Sequence, residues 1–179
     1  VDTVYVAPGN GGTANENKCI NTDIAVNDFF ALEKLVIEKE INLIVIGPED
    51  PLVNGIKDHF QNKNVKVFGP DKAGAKLEGS KIYAKKFMFE NDIPTGRAEF
   101  FSDANLAKKY INTIDFPIVL KADGLAAGKG VLVTKDPQEA TQWIEDVMIK
   151  LKFGDAGNEI LIEECLFGTE LNYMGIMTP

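Results

Sequence analysis

Residues 117–134 read Pro-Ile-Val-Leu-Lys-Ala-Asp-Gly-Leu-Ala-Ala-Gly-Lys-Gly-Val-Leu-Val-Thr, two apolar runs separated by small residues and two lysines. The runs Ile118 to Ala122 and Val131 to Thr134 are short, rich in β-branched residues and bounded by Gly or Asp, so each is predicted to be a strand. The connection between them is too long for a tight two-residue turn. We therefore expect a hairpin with a long glycine-rich loop, and the rest of the chain is organised around it.

The chemistry of this loop points to an anionic ligand. Gly124, Gly128 and Gly130 allow the backbone to adopt positive φ and to approach a ligand closely. Backbone N–H groups could line such a ligand while Lys121 and Lys129 supply positive charge. The spacing fits neither a P-loop nor a dinucleotide-binding fingerprint, whereas the strand–loop–strand context is typical of loops that cover ATP phosphates. The alternative is a mobile hairpin whose lysines are solvated.

The composition limits the classes of function. The chain has 179 residues, of which 45% are hydrophobic, so it can form a folded core. Its net charge of −8 argues against nucleic acid or an anionic membrane surface as a main partner. A single histidine, His59, predicted on a helix surface, gives little material for a Ser-His-Asp triad or a zinc site. Cys19 and Cys165 lack metal-ligand spacing, and no signal-like segment is found, so a cytoplasmic protein with reduced thiols is expected.

The first 70 residues alternate between predicted strands and helices. This alternation is the pattern of a doubly wound parallel α/β domain. The near-continuous apolar run Ile41 to Ile46 predicts a strand buried on both faces of a parallel sheet. The chain opens inside a predicted strand, so we expect it to be cut at that end. The predicted elements are a strand at Val1 to Ala7, a helix at Asp28 to Glu40, the strand at Ile41 to Ile46, a helix at Leu52 to Lys63 and a strand at Val65 to Phe68.

Turn-forming segments follow three of these strands. They are Pro8-Gly-Asn-Gly-Gly-Thr13, Gly47-Pro-Glu-Asp50 and Gly69-Pro70. Ligands of open α/β sheets bind at the carboxyl ends of the strands, so the three loops could converge on one ligand. The alternative is that Asp50 and Asp71 merely cap the helices that follow, which we favour for Asp71.

The second half of the chain is predicted to mix helices with antiparallel strands. Lys81, Lys85 and Lys86 form a basic patch in an acidic chain, and we interpret Lys85 and Lys86 as a solvated helix face. Trp143 is expected in the core. The predicted elements are helices at 73–77, at about 80–91, at Asp103 to Ile114 after a Ser102 cap and from Asp136-Pro137 onward, and strands at Glu99 to Phe101, Glu159 to Leu166 and Leu171 to Met177.

Six segments together carry a family resemblance. They occur in order along the whole chain, and although each is weak alone, six in register are specific. The chain resembles the phosphoribosylamine–glycine ligases of the ATP-grasp superfamily. The segments are Ala7-Pro-Gly-Asn10, Gly47-Pro-Glu-Asp-Pro-Leu52, Leu77-Glu-Gly-Ser-Lys81, Lys121 to Val131, Phe153-Gly-Asp-Ala-Gly157 and Glu163-Glu-Cys-Leu-Phe-Gly-Thr-Glu170.

The resemblance implies a fold and a set of site residues. An α/β substrate-binding domain over residues 1–76 would lack its first strand, and residues 77–179 would be an incomplete ATP-grasp module whose central lid part is 113–179. Lys121 and Lys129 are implied as catalytic. The implied ATP-binding residues are Lys81, Lys121, Gly124, Gly128, Lys129, Gly130, Glu163, Glu164, Leu166 and Glu170. The implied phosphoribosylamine-binding residues are Pro8, Gly9, Asn10, Gly47, Pro48, Glu49 and Asp50.

The reaction implied by the resemblance is ATP-dependent amide formation. ATP phosphorylates the carboxylate of glycine, and the amine of 5-phosphoribosylamine attacks the acyl phosphate to give glycinamide ribonucleotide, ADP and phosphate, a step of purine biosynthesis. The Mg²⁺ or Mn²⁺ ligands of the family fall beyond Pro179, so no metal ligand is assigned. Two alternatives remain open, namely another ATP-grasp carboxylate–amine ligase or biotin-dependent carboxylase, and a nucleotide-binding fragment without catalysis.

Overall fold

The computed structural model describes residues 1–125 and 129–175. The chain divides into two compact units, one spanning Val1–Ala84 and one that begins at Lys85. No helix in the described residues is long and apolar enough to cross a membrane. Each unit has its own strands and helices.

The first unit contains two pairs of parallel strands. Strand β1 (Val4–Val6) pairs with β2 (Cys19–Asn21), and β3 (Leu43–Val45) pairs with β4 (Lys66–Phe68). The predicted parallel pairing is confirmed, but β2 was not foreseen and the four strands form two separate sheets. The helices are α1 (Phe29–Glu38), α2 (Glu49–Val53), α3 (Ile56–His59) and α4 (Lys72–Gly79), and a 3-10 turn (Thr13–Asn15) links β1 to β2.

Two predictions for this unit are wrong. Strand β3 is not buried on both faces, because Leu43 and Val45 are 54% and 65% exposed and β3 has β4 as its only strand neighbour among the described residues. The single helix predicted over Leu52 to Lys63 is broken at Gly55, whose φ of +92° is left-handed and cannot continue an α-helix. Asp71 caps α4 as favoured, since its Oδ1 accepts a hydrogen bond from the Gly74 N–H at 2.8 Å.

His59 is not the surface histidine that the sequence predicted. Its side chain is 19% exposed and its ring lies against those of Phe29, Phe30 and Phe60. Its Nε2 is 2.8 Å from a carboxylate oxygen of Glu33. The prediction failed because Phe29, Phe30 and Glu33 come from α1, and the sequence around His59 does not show these contacts.

The second unit is built on a four-stranded antiparallel sheet. Its strands are β5 (Ala98–Phe101), β6 (Ile118–Ala122), β7 (Val131–Thr134) and β8 (Ile160–Glu164), in the order β5-β8-β6-β7. The bounds of β6 and β7 match the sequence prediction, and their register places Ile118 opposite Thr134 and Lys121 opposite Val131. The hairpin therefore lies at the sheet edge, and β8 separates it from β5.

The helices of this unit begin at carboxylate caps. Helix α6 (Ala104–Ile111) is capped by Asp103 and not by Ser102 as predicted, because the Asp103 carboxylate accepts hydrogen bonds from the N–H groups of Asn105 and Leu106. Asp136 caps α7 (Pro137–Ile144), which continues as a π-helical turn (Glu145–Ile149). The remaining elements are α5 (Lys81–Glu90), which spans the division between the two units, and a 3-10 turn at Gly154–Gly157.

The two faces of the antiparallel sheet have different roles. Side chains of Ile118, Leu120, Ala122, Ile160 and Ile162 point to one face and are buried against α6 and α7. Trp143 is partly buried against the same cluster, as expected. The opposite face carries Val119, Lys121, Leu161 and Glu163, because directly paired and alternate residues share a face. One face of the sheet therefore packs on α6 and α7, and the other combines the buried Val119 and Leu161 with the charged Lys121 and Glu163.

The end of the described chain differs from the prediction. Strand β8 ends at Glu164, two residues before the predicted end. Residues 171–175 are exposed and have no regular structure, so the predicted strand from Leu171 is wrong over this range, and its last two residues lie outside the described part.

Leu120 tests the core of the second unit. It is fully buried in β6, whereas Leu106 on α6 is 56% exposed. Leu120→Ala should lower the free energy of unfolding by about 2–5 kcal/mol, through lost burial and the cavity left behind. The fluorescence of Trp143, the only tryptophan, would follow this in a denaturant titration. Leu106→Ala is the matched control, and equal losses in both variants would contradict the proposed core.

Candidate functional site

Backbone hydrogen bonds hold the start of the glycine-rich loop to the sheet. The N–H of Ala122 donates to the carbonyl of Gly130 at 2.8 Å, and the N–H of Asp123 donates to the carbonyl of Glu159 at 3.0 Å. Gly124 has a φ of +95°, in line with the predicted need for glycine, while Gly128 lies outside the described residues. Lys129 is exposed. These hydrogen bonds extend to Asp123, so the loop leaves the sheet two residues after Lys121.

Lys121 belongs to a cluster of three charged side chains on the face of the sheet opposite α6 and α7. Its Nζ contacts Glu163 Oε1, and the Nζ of Lys85 lies 2.7 Å from Glu163 Oε2. Lys85 and Glu163 are only 7% and 9% exposed, whereas the Lys121 side chain is 29% exposed. Lys85 Nζ also donates to Thr95 Oγ1 at 2.8 Å and to the Gly96 carbonyl at 3.1 Å. We call Lys85, Glu163 and Lys121 the charge triad.

The interpretation of Lys85 as a solvated lysine was wrong. Lys85 faces the sheet and is buried, while the neighbouring Lys86 is exposed with its Nζ 5.2 Å from the ring centre of Phe100. A signal for Lys85 was present in the sequence: it lies four residues after Lys81, so the two share a side of α5. Lys81 itself is the first residue of α5 and is half-buried.

The residues predicted to hold adenine and ribose occupy the end of β8 and the segment after it. Glu164 has a structural role, because one of its oxygens accepts from the Arg97 N–H at 3.0 Å and the other from Arg97 Nε at 3.1 Å. These two hydrogen bonds, the backbone one first, hold the pKa of Glu164 below its ordinary value. Leu166 is 71% exposed and Glu170 is exposed. Their roles in nucleotide binding stay predictions.

The loop after β1 is held by Asn10. Its Oδ1 accepts hydrogen bonds from the N–H groups of Gly12 and Thr13 at 2.8 and 3.0 Å. Asn21 Nδ2 donates to the Asn10 carbonyl at 2.9 Å, and Thr13 Oγ1 donates to Asn21 Oδ1 at 2.8 Å. Gly9 packs so closely that a Cβ would lie 2.2 Å from Asn21 Cγ. Asn21, on the unforeseen strand β2, therefore fixes the shape of the loop that begins at Pro8.

The loops after β3 and β4 meet at one cavity. Its volume is about 290 Å³. Asp50 lies inside α2 and does not cap it; Asn27 Nδ2 donates to Asp50 Oδ2. Among the described residues, none of the cavity lining comes from the Pro8 loop, so two of the three predicted loops share a cavity. The lining residues are Gly47, Glu49, Leu52, Pro70, Gly74, Ala75, Leu77 and Glu78.

The described residues do not fit a metal centre. No group of three His, Cys, Asp or Glu side chains within residues 1–125 and 129–175 is arranged to hold an ion. The glycine hairpin and the triad do fit an anionic ligand, because a part-exposed ammonium stands at the point where the loop begins.

Gly9 tests the shape of the loop. Its φ is +80° and it has no room for a Cβ, so Gly9→Ala should destabilise the loop by about 1–3 kcal/mol. Amide hydrogen exchange at Gly12 and Thr13 would report this as faster exchange. Gly11→Ala is the control because no atom lies within 4 Å of its Cβ position. Unchanged protection in a folded Gly9→Ala variant would contradict the described loop.

Arg97 tests the fixing of Glu164. Arg97→Ala removes the side-chain donor but leaves the backbone N–H, so the pKa of Glu164 should rise only part of the way to its ordinary value of 4.5. Because the folded-state pKa is depressed, the contact stabilises the fold above the ordinary pKa and is lost as pH falls through the folded-state pKa. Carbon-13 NMR of the carboxyl would give the folded-state pKa, and unfolding at pH 7 and at a pH below that folded-state pKa would give the change in stability. A stability difference that persists at low pH would contradict this.

Both parts of the chain match models of known protein domains. Residues 1–78 match the family model described as phosphoribosylglycinamide synthetase, N domain. Residues 79–178 match the one described as phosphoribosylglycinamide synthetase, ATP-grasp (A) domain. The second match alone covers more than half of the chain.

Relatives agree with these matches. A bifunctional purine biosynthetic protein of Schizosaccharomyces pombe is 46% identical over 97% of this chain and 22% of its own length. A phosphoribosylamine–glycine ligase of Nostoc is 45% identical over 98% of the chain and 41% of its own length. The chain thus spans about two fifths or less of these relatives.

Solved structures show the same relationship. The crystal structure of a phosphoribosylamine–glycine ligase from Thermotoga maritima superposes with a TM-score of 0.71 at 32% identity, over 93% of this chain and 39% of that one. A biotin carboxylase domain from Hydrogenobacter thermophilus gives 0.65 at 19% identity, over 81% and 33% of the two chains, and shows likeness of fold alone. With its two domain matches in order along the sequence, the chain belongs to the phosphoribosylglycinamide synthetase family.

Proposed function

We propose that the complete natural protein carrying this chain is an ATP-dependent ligase that joins glycine to 5-phosphoribosylamine. The observation that supports this best is the position of Lys121, a part-exposed ammonium where β6 enters the glycine loop, in a chain of this family. ADP and phosphate are the other products. The likeness to a biotin carboxylase, at 19% identity, does not favour carboxylation.

The proposed reaction has two chemical steps. An oxygen of the glycine carboxylate attacks the γ-phosphorus of ATP, the bond to the β-phosphate oxygen breaks, and ADP leaves. The amine of phosphoribosylamine then attacks the acyl carbon, phosphate leaves and the amine loses a proton. Charge neutralisation and positioning of phosphates are the main requirements of such transfers, and lysines can meet them without a histidine base.

Individual residues receive roles on this basis. Lys81, Lys121 and Lys129, with the loop from Gly124 to Gly130, bind the phosphates of ATP. The adenine edge meets the backbone at Glu163 to Leu166, and Glu170 accepts from the ribose hydroxyls.

The proposed phosphoribosylamine site lies in residues 1–76, at the Pro8 loop and at the cavity lined by Gly47 and Glu49. Residues 77–179 are proposed as the ATP-grasp module. Pro48 is the N-cap residue of α2 and Asp50 is the second residue of that helix, so both lie close to Gly47 in the sequence. A divalent ion would shield ATP phosphates, but the described residues hold no site for it.

A cytoplasmic location is proposed from the relatives' role in purine biosynthesis.

Lys121→Ala tests this function in the complete natural protein. Release of ADP should depend on both glycine and phosphoribosylamine, and the variant should lose about 2–4 kcal/mol of transition-state stabilisation in kcat/KM because a preorganised charge is removed. Lys135→Ala is the control, since Lys135 is exposed and follows the end of β7 remote from the loop. Near-normal kinetics in a folded Lys121→Ala variant, or ADP release over many turnovers without phosphoribosylamine, would contradict the proposal.

A further inference from the structure

The charge triad contains one more lysine than a phosphate-binding ion pair needs. Glu163 lies on β8 between its partners, with Lys121 from β6 at one carboxylate oxygen and Lys85 from α5 at the other. The formal charge of the three groups is positive by one. A Lys121–Glu163 pair without Lys85 would be neutral and would offer no net charge to an anion.

Lys85 is unsuited to bind a ligand itself. Its side chain is almost fully buried, and its ammonium has three donors. Two donate to Thr95 Oγ1 and the Gly96 carbonyl, and the carboxylate of Glu163 lies 2.7 Å away. The partners of Lys85 are therefore all inside the protein, whereas Lys121 is the exposed member of the triad.

The burial of Glu163 makes the second lysine necessary. If Lys85 were absent and Lys121 moved its ammonium from Glu163 to a phosphate, a carboxylate that is 9% exposed would be left without either lysine. A buried charge whose partner has been removed is strongly destabilising. With Lys85 in place, the carboxylate keeps an opposite charge while Lys121 turns to the ligand.

We propose that Lys85 is a positioning residue that compensates the buried Glu163 carboxylate and so keeps the charge of Lys121 available to a phosphate of the nucleotide. This inference rests on the proposed function, in which Lys121 contacts ATP. It assigns to Lys85 a specific effect on phosphate binding and none on the binding of a nucleoside that lacks phosphate.

The test compares ATP with adenosine in the complete natural protein. Isothermal titration calorimetry in metal-free buffer gives the Kd of each ligand. Lys85→Met should raise the Kd for ATP about ten-fold or more and that for adenosine by less than about two-fold. Lys86→Met is the matched control from the same helix and should leave both values unchanged. Equal losses for ATP and adenosine, or no loss for ATP, would show that Lys85 is merely structural.

A second comparison uses a variant that lacks the buried carboxylate of Glu163. In a Glu163→Gln background no buried carboxylate needs compensation, so adding Lys85→Met should change the Kd for ATP by less than about two-fold. A ten-fold loss in this background would overturn the proposal. Comparing Glu163→Gln with the Glu163→Gln, Lys85→Met double variant also tests the proposal if Lys85→Met alone does not fold. A parent protein that binds ATP no more tightly than adenosine would instead refute the phosphate contact of the proposed function, and the inference with it.

Discussion

The carboxylate of Glu163 lies inside the second unit with an ammonium group at each of its oxygens. Burying a carboxylate is costly unless opposite charges and hydrogen bonds replace water, and this requirement ties together three elements that are far apart in sequence. Strand β8 supplies the acid, β6 supplies Lys121 and α5 supplies Lys85. Thr95 and the Gly96 carbonyl, just before β5, complete the surroundings of Lys85.

The antiparallel sheet makes this arrangement possible because alternate side chains along each strand point to opposite faces. Alternation along β6 and β8 sends isoleucine, leucine and alanine side chains toward α6 and α7. The same alternation sends Lys121 and Glu163 to the other side. On that side the charged pair lies beside the buried Val119 and Leu161.

Local hydrogen bonds and a glycine shape the connections of the first unit. The loop after β1 is shaped by Asn10, Thr13 and Asn21, and the helix after β3 is broken by the left-handed Gly55. Its two parallel strand pairs leave Leu43 and Val45 exposed. The cavity at the ends of β3 and β4 is thus built from turn residues and from residues of α2 and α4.

The sequence by itself determined the parts of this protein that depend on local pattern: the strands β6 and β7, the glycine hairpin between them, the Asp71 and Asp136 caps and the family to which the chain belongs. It did not determine strand β2, because three residues without strong periodicity become a strand only through pairing with β1. The burial predicted from the sequence was also wrong for Lys85, for His59 and for the two faces of β3. Burial of a charged or aromatic side chain is decided by partners distant in the sequence, such as Glu163 for Lys85 and Glu33 for His59, and only the tertiary structure brings those partners together.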